Sequence, residues 1–552
     1  MQIDAGAATQ APLNADAADT ALAYHARTKH TLQRYAAGPE TLDWDTQPNP
    51  FREFEGSARV ALPLTSDHVG TPWQQVHAPA GRPAPLNRAS VAALLELSMG
   101  LSAWKEYGPD RWALRCNPSS GNLHPTETYL LSSNLPGLND GLYHYVSRDH
   151  ALELRCRRAE PSPGPARLWI GLSSVHWREA WKYGERAFRY CQLDIGHALG
   201  AVRYAAGALG WSATIIDNVD NASLAAWMGL DRSADFAGVE REDADLLIAI
   251  NPRDDATLAE IDEIPDAFEA TDHWAGQANR LDPRPLYRWP VINEVSAATM
   301  GRAPFDPESA SPHPPLPEAS PARAAEIILQ RRSAQRFDAK FTMGLDPFYR
   351  LLDGLLPRPV APWDVWGFTP RLHPLLFVHR VEGLDPGVYA LPRRPEAVAA
   401  LRAALRADFE WQRVDGAPAH LPLVRLLPLN TRAVIRTASC HQAIAADACF
   451  AVSMLSEFEP LVRANAWRYR QLHWEAGLLG QVLYLEAEVA GLRGTGIGCY
   501  FDDSVHEMLG ITTTQFQALY HFTVGLPLTD DRILTSEAYP GRQRNELQGA
   551  TT

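Results

Sequence analysis

No run of apolar residues in the chain approaches the roughly 20 that a membrane-spanning helix needs. The opening stretch, MQIDAGAATQAPLNADAADT, has neither a basic region nor an apolar core, so it does not read as a secretory signal; a disordered tail is expected over 1–22. Positive charge is in deficit. Lys and Arg total 51 against 65 Asp and Glu, a formal net charge of −14, which argues against the basic surface that non-specific nucleic-acid binding requires. Cysteine is scarce: the six, at 116, 156, 191, 440, 449 and 499, form no CxxC pair and no zinc spacing. Reduced thiols in a cytoplasmic protein without a metal site are therefore expected.

What is present is enough apolar sequence, 46% of 552 residues, for two or three full-sized domains. Proline and acidic residues cluster between about 252 and 320. Proline removes a donor and fixes φ, so this stretch is expected to hold no helix and no central strand. It reads as a linker over 256–320 between domains at 23–255 and 321–545. An internal repeat supports the division. LDIGHALGAVRYAAGALG at 193–210 resembles WEAGLLGQVLYLEAEVAG at 474–491. Gly196 and Gly477 are 281 residues apart, as are Gly210 and Gly491, Arg189 and Arg470, and Asp194 and Glu475. Both segments are apolar nearly all round, which predicts two buried helices, each with a glycine C-cap. LHPTETYLL at 123–131 parallels LHPLLFVHR at 372–380, and GLYHY at 141–145 parallels GVYAL at 387–391; all four read as strands. A duplicated domain can stand in for a homodimer.

Three segments carry chemistry. Arg331, Arg332 and Ser333, followed by Gln335, offer forked guanidinium donors and a hydroxyl to a phosphate. Pro118, Ser119, Ser120, Gly121 and Asn122 form a loop of hydroxyls, a side-chain amide and exposed N–H groups. Gly494-Thr495-Gly496-Ile497-Gly498-Cys499 permits close backbone approach to a flat ligand. It lacks GxGxxG spacing, and no strand is expected to lead into it, so it is not a dinucleotide-binding loop.

The RRSxxxF segment, the R-x-x-P-S-x-G-x-L-x-P loop, a buried helix, then GxGxxFDD and a terminal Val-Gly-Leu-Pro resemble, in that combination, the nitroreductase-like flavoprotein family, and within it the SagB/ThcOx-type dehydrogenase branch. The resemblance covers about 23–255 and 321–535. It implies an α+β fold of two fused nitroreductase-like domains forming an intramolecular pseudo-dimer, with FMN at the interface. It also implies a division of labour. Arg331, Arg332, Ser333, Gln335, Ile497, Gly498, Cys499 and Arg532 would come from the second half, and the Pro-Ser loop from the first. The second half's counterpart of that loop, Gly367-Phe368-Thr369-Pro370, lacks the motif, and the first half's counterpart of the glycine segment is Ile215-Ile216-Asp217. One complete flavin site and one degenerate site follow. Where family members often carry a basic residue, this chain has the uncharged Gln335.

The resemblance further links Lys182-Tyr183 to azoline dehydrogenation, with Lys182 as base and Tyr183 orienting it or the substrate. The pair occurs once, since Arg463-Ala464 stands at the equivalent place. His124, matched by His373, fits a structural role, and YHARTKH at 24–30 reads as a solvated helix. Three functions remain open. The first is a dehydrogenase or oxidase taking two electrons as hydride from a small or peptide-borne heterocycle and passing them from FMN to oxygen or another acceptor. The second is an NAD(P)H-dependent nitro or quinone reductase. The third is a non-catalytic flavin-binding partner in a biosynthetic complex.

Overall fold

The computed structural model describes residues 11–77, 83–252, 265–307, 313–318 and 320–542. Helix α1 (Ala11–Arg27) precedes a hairpin of β1 (Leu101–Tyr107) and β2 (Asp110–Arg115). The first large sheet uses β3 (Thr126–Ser133), β4 (Gly141–Val146), β5 (Ala151–Arg157), β6 (Arg167–Ser174), β7 (Trp211–Ile215) and β8 (Asp243–Pro252), in the order β5-β4-β3-β6-β8-β7. Helices α2 (His176–Tyr183) and α3 (Ala187–Ala208) lie between β6 and β7. The second sheet uses β9 (Leu372–Val378), β10 (Gly387–Ala390), β11 (Val424–Leu427), β12 (Phe450–Glu457), β13 (Arg493–Ile497) and β14 (Phe516–Gly525), in the order β11-β10-β9-β12-β14-β13. Here α4 (Glu459–Ala464) and α5 (Arg468–Val489) separate β12 from β13, and α6 (Asp502–Leu509) precedes β14. The two orders correspond strand for strand, and all these pairings are antiparallel. The four strands expected from the repeated segments are β3, β4, β9 and β10. No helix among the described residues is long and apolar enough to cross a membrane.

One hydrophobic core runs through both lobes. It takes Leu130, Ile170 and Ile248 from the first sheet, Leu376, Val452 and Phe522 from the second, and the apolar residues of α3 and α5 between them. Being covered by sheets and by each other, α3 and α5 bury almost every side chain, which is why neither shows a polar face. They start and end 281 residues apart, each followed by a left-handed glycine, Gly210 (φ +73°) and Gly491 (φ +71°). Their crossing admits no side chain. A Cβ on Gly477 would lie 2.1 Å from the Leu193 carbonyl oxygen, and one on Gly196 2.1 Å from that of Trp474.

Charged groups close the seam on both sides. Arg186 and Arg189, at the start of α3, donate to Asp502 of α6 at 2.9 and 2.8 Å. Burial alone would raise the Asp502 carboxyl, but the two guanidinium groups hold it far below the usual carboxylate range. Reciprocally, Arg470 of α5 donates to Asp245 of β8 at 2.7 Å. The C-terminal strand β15 (Leu534–Ser536) pairs with β1, carrying the second lobe's tail across the first.

Three expectations need correction. The tail expected over 1–22 belongs in part to α1 from residue 11 onward; residues 1–10 lie outside the described residues. The YHARTKH segment is not solvated. Tyr24, His25, Thr28 and His30 are buried, because Tyr24 donates to the Glu185 carbonyl at 2.6 Å and Lys29 pairs with Asp503. The segment expected as linker holds a helix over Pro290–Ala298. Its proline sits at the first position, where no amide hydrogen is needed, and the eight residues after it contain none. Parts of 256–320 (256–264, 308–312 and 319) lie outside the described residues.

Gly477→Ala and Gly196→Ala should each lose about 1–3 kcal/mol of stability, since the clash is with backbone and outweighs alanine's better helix propensity. Gly70→Ala, with nothing within 4 Å of its added Cβ, should stay within about 0.5 kcal/mol. Urea unfolding followed by tryptophan fluorescence checks this; equal midpoints for all three would contradict the crossing.

Candidate functional site

A cavity of about 460 Å³ opens between the lobes, within the size range of cofactor and small-molecule sites. Pro118, Ser119, Ser120, Gly121 and Asn122 line it from the first lobe, with Tyr183 of α2 and Asp194 of α3. Arg331, Arg332, Ser333, Gln335, Ile497, Gly498 and Cys499 line it from the second, and residues 527–530 lie along its rim. Segments more than 200 residues apart in the chain thus meet at one site.

The Pro-Ser loop owes its shape to α3. Asp194 accepts the Ser120 N–H at 3.1 Å and the Ser120 hydroxyl at 2.9 Å. Ser119 Oγ accepts the His124 N–H at 2.8 Å, and Asn122 Nδ2 donates to the Ala113 carbonyl at 3.0 Å. Much of the hydrogen-bonding capacity expected to serve a ligand therefore holds the loop. Gly121 (φ +60°) suits its place: a Cβ there would meet the Tyr183 hydroxyl at 2.5 Å, so a side chain would push that ring aside. Burial raises the Asp194 carboxyl to about 7, against the hydrogen bonds from Ser119 and Ser120. Its repeat counterpart Glu475 grips the N–H groups of Arg371 and Leu372 in the same manner but is neutralised by Arg393. Among the described residues no cation pairs with Asp194.

The glycine segment is itself a strand, β13, contrary to the expectation that no strand leads there. Its glycines make room for aromatic rings. A Cβ at Gly494 would meet Phe522, at Gly496 the Tyr520 hydroxyl, and at Gly498 the ring of Tyr190. Tyr484 Oη accepts the Gly496 N–H at 3.0 Å and shares a hydrogen bond with Ser333 Oγ at 2.8 Å, joining the 331–335 segment to β13. Tyr183, Tyr190, Tyr484 and Tyr520 all line the cavity.

The end near Arg331 is strongly cationic. Lys105 of β1 and Arg493 of β13 join Arg331 and Arg332 in lining it, and neither Lys105 nor Arg493 stands out in the sequence. Burial lowers the proton affinity of Arg331, Arg332 and Lys105. Repulsion lowers it further: Arg332, to about 10, through Arg331 and Arg493, and Lys105 through Arg332 and Arg493. Glu488 contacts the group, 3.3 Å from Arg493 and accepting the Arg332 backbone N–H at 3.1 Å. Asp530, also at the rim, is paired with Arg532 at 2.6 Å. The expected role of Arg331 changes. Its Nε and Nη2 donate to the carbonyls of Cys116 and Arg115 at 3.1 and 3.0 Å, so it stitches the lobes and contributes charge rather than a free fork. Arg332 likewise donates to the carbonyls of Leu329 and Ser102.

Two expected residues lie outside the lining. Arg532 is exposed and turned to Asp530 and Tyr107. Lys182 is half-buried, with its ammonium 5.2 Å from the Trp44 ring and 5.3 Å from that of Tyr183. Burial lowers its proton affinity, against the attraction of Glu179. His124 is buried under the loop, its N–H donated to Ser119 Oγ.

The segments that the 281-residue offset and the repeated strands pair with the site, 215–217 and 367–370, border a much smaller cavity. Ile216, Asp217, Phe368, Trp467 and Trp474 enclose only about 20 Å³, room for a water or two. Phe305, from the proline-rich stretch, packs edge-on against Phe368 at 5.0 Å, and its N–H donates to Asp217 at 2.7 Å. Asp306 beside it accepts from the Thr369 N–H and from Arg468.

No family model matches the chain. Over 135 residues it is 28% identical to a Methanocaldococcus jannaschii protein named "Putative nitroreductase MJ1384", covering 22% of this chain and 67% of that protein. The crystal structure of "a putative nitroreductase" from Anabaena variabilis matches with a TM-score of 0.66 and 22% identity, over 92% of this chain and 99% of that one. A second crystal structure so named, from Ralstonia eutropha, covers 40% of this chain and 98% of its own, at 17% identity and a TM-score of 0.27. The chain has the α+β fold of the Anabaena nitroreductase-like protein, with both lobes inside the matched length.

Proposed function

We propose that this protein is an FMN-dependent oxidoreductase with one flavin site, working as a reductase that draws hydride from NAD(P)H and delivers it to a nitro compound or a quinone. The cationic end of the interlobe cavity carries the reading. Four cations beside one contacting carboxylate form a field that a phosphate monoester would relieve. Arg493, Lys105 and Ser333 would hold the phosphate, with Arg331 and Arg332 adding charge; the 118–122 loop, β13 and the tyrosines would hold the ring system. Bound FMN supplies a two-electron carrier that exchanges hydride with either substrate. Asp194 keeps the loop in place, and Pro527 to Asp530, Ile533 and Thr535 complete the lining. The fold match and the names of the matched proteins support the reductase direction.

We read the lobes, 23–255 and 321–545, as diverged copies of one domain joined by 256–320, the fused equivalent of a homodimer. The shared strand order and the 281-residue offset support this. A second reading is azoline dehydrogenation of the SagB/ThcOx type. Tyr183 in the cavity favours it, whereas Lys182, its base, lies outside the lining.

Purified protein should take up one FMN per chain, and NADPH should bleach it anaerobically. Reduction only by a thiazoline or oxazoline peptide would favour the dehydrogenase, and a flavin that neither reduces would favour a binding partner without turnover. Arg493→Ala should raise the Kd for FMN on the order of 10-fold, the loss of one charge-assisted hydrogen bond; an unchanged Kd in fluorescence titration would contradict the phosphate assignment. Lys182→Ala should leave the NADPH bleaching rate within about twofold, because its ammonium lies outside the lining, over the Trp44 ring and behind that of Tyr183. A loss of 100-fold or more, of the general-base order, would revive the Lys182 role.

A further inference from the structure

Two of the six cysteines face each other in and beside the cavity wall. Cys499 directly follows Gly498 at the end of β13 and lines the cavity. Cys440 lies 59 residues earlier, with its Sγ 2.8 Å from Cys499 Sγ. Both are half-buried, whereas Cys116, Cys156, Cys191 and Cys449 are buried. Cys440 and His441 hold φ of +52° and +60°, a conformation that residues with a Cβ rarely adopt and that persists only where the surroundings enforce it.

The neighbours treat the two sulfurs differently. His30 accepts the Ala36 N–H at Nδ1 (2.8 Å), which leaves its remaining proton on Nε2, and it acts on Cys499 as a neighbour that favours the thiolate. Arg186 donates to the Gly498 carbonyl at 3.2 Å, bringing its charge beside Cys499, and Gln442 Nε2 donates to the Cys499 carbonyl at 3.1 Å. Cys440 faces Tyr35 and Cys499 itself.

We propose that Cys440 and Cys499 form a redox-active dithiol in the cavity wall that reduces small disulfides, with Cys499 as the attacking thiolate and Cys440 as the resolving thiol. Cys499 S⁻ attacks one sulfur of R–S–S–R; that bond breaks, RS⁻ leaves, and a Cys499–S–S–R mixed disulfide forms. Cys440 then attacks the Cys499 sulfur, its proton passes to the second leaving thiolate, and RSH departs as the Cys440–Cys499 disulfide closes. The dithiol loses two electrons and the disulfide substrate gains them, yielding two thiols; a thiol reductant reverses both steps. The proton states agree with the geometry. The hydrogen bond between the two sulfurs, aided by the charge of Arg186 and by His30, outweighs burial and lowers the Cys499 thiol, while Cys440 is pushed up. None of this depends on the flavin assignment.

The test uses the full chain, reduced, exposed to oxidised glutathione, quenched by alkylation and mapped by mass spectrometry without reduction. The expected product is a Cys440–Cys499 linked peptide with the other four thiols free. Cys440→Ser should hold one glutathione on Cys499, and Cys499→Ser should react at Cys440 at least ~10-fold more slowly. Glutathionylation of Cys440 in Cys499→Ser as fast as of Cys499 in Cys440→Ser, or two free thiols in the unaltered chain, would overturn the proposal. Should a variant fail to fold, iodoacetamide on the unaltered chain at pH 7 decides: Cys499 should alkylate ~10-fold faster than Cys440, and equal rates would refute the assignment.

Discussion

The approach of α3 to α5 at Gly196 and Gly477 sets the geometry of everything else. With each glycine pressed on the other helix's backbone, the two helices form a rigid middle layer on which both sheets rest. Asp194, Tyr190 and His197 reach the cavity from α3 and Tyr484 reaches it from α5, so any widening of the crossing would move the loop grip and the tyrosine wall apart. The spacing of two helices thereby becomes the width of the cavity.

The rest of the seam is organised by reciprocity that stops at the sites themselves. Arg189 and Arg470 occupy equivalent places, and each finds a buried carboxylate in the opposite lobe, Asp502 and Asp245. Asp194 and Glu475 each hold a loop by its N–H groups. At the ligand level the symmetry ends. One side keeps an open cavity where cations outnumber the contacting carboxylate; the other is packed with Phe305, Phe368, Trp467 and Trp474. Burying those rings favours the docked state without a ligand, which leaves the open side free to keep like charges close together.

Much of this was legible because it rests on residue identity at a fixed offset. Glycines at a helix crossing, an acid facing a loop and an arginine facing a carboxylate are each local demands, so they recur 281 residues apart. The Pro-Ser and Arg-Arg-Ser segments were legible as compact motifs. Lys105 and Arg493 were not, since each is one basic residue in an ordinary strand and their convergence depends on how β15 and β13 dock. The uses of Arg331 and Asn122 were misjudged for the same reason: their donors are taken by carbonyls that only the fold brings near. The Pro290–Ala298 helix and the plugging role of Phe305 were hidden by proline-rich composition, and the burial of Tyr24 and His25 by a polar-looking segment that packs under three elements.

The central claim is that one ligand cavity draws on both lobes while its symmetric counterpart is closed. Hydrogen–deuterium exchange of the full chain with and without saturating FMN tests it directly. The account predicts simultaneous protection of 118–122, 331–335 and 493–499, with no change at 215–217 or 366–370. Protection confined to one lobe, or centred on Ile216 and Phe368, would contradict it.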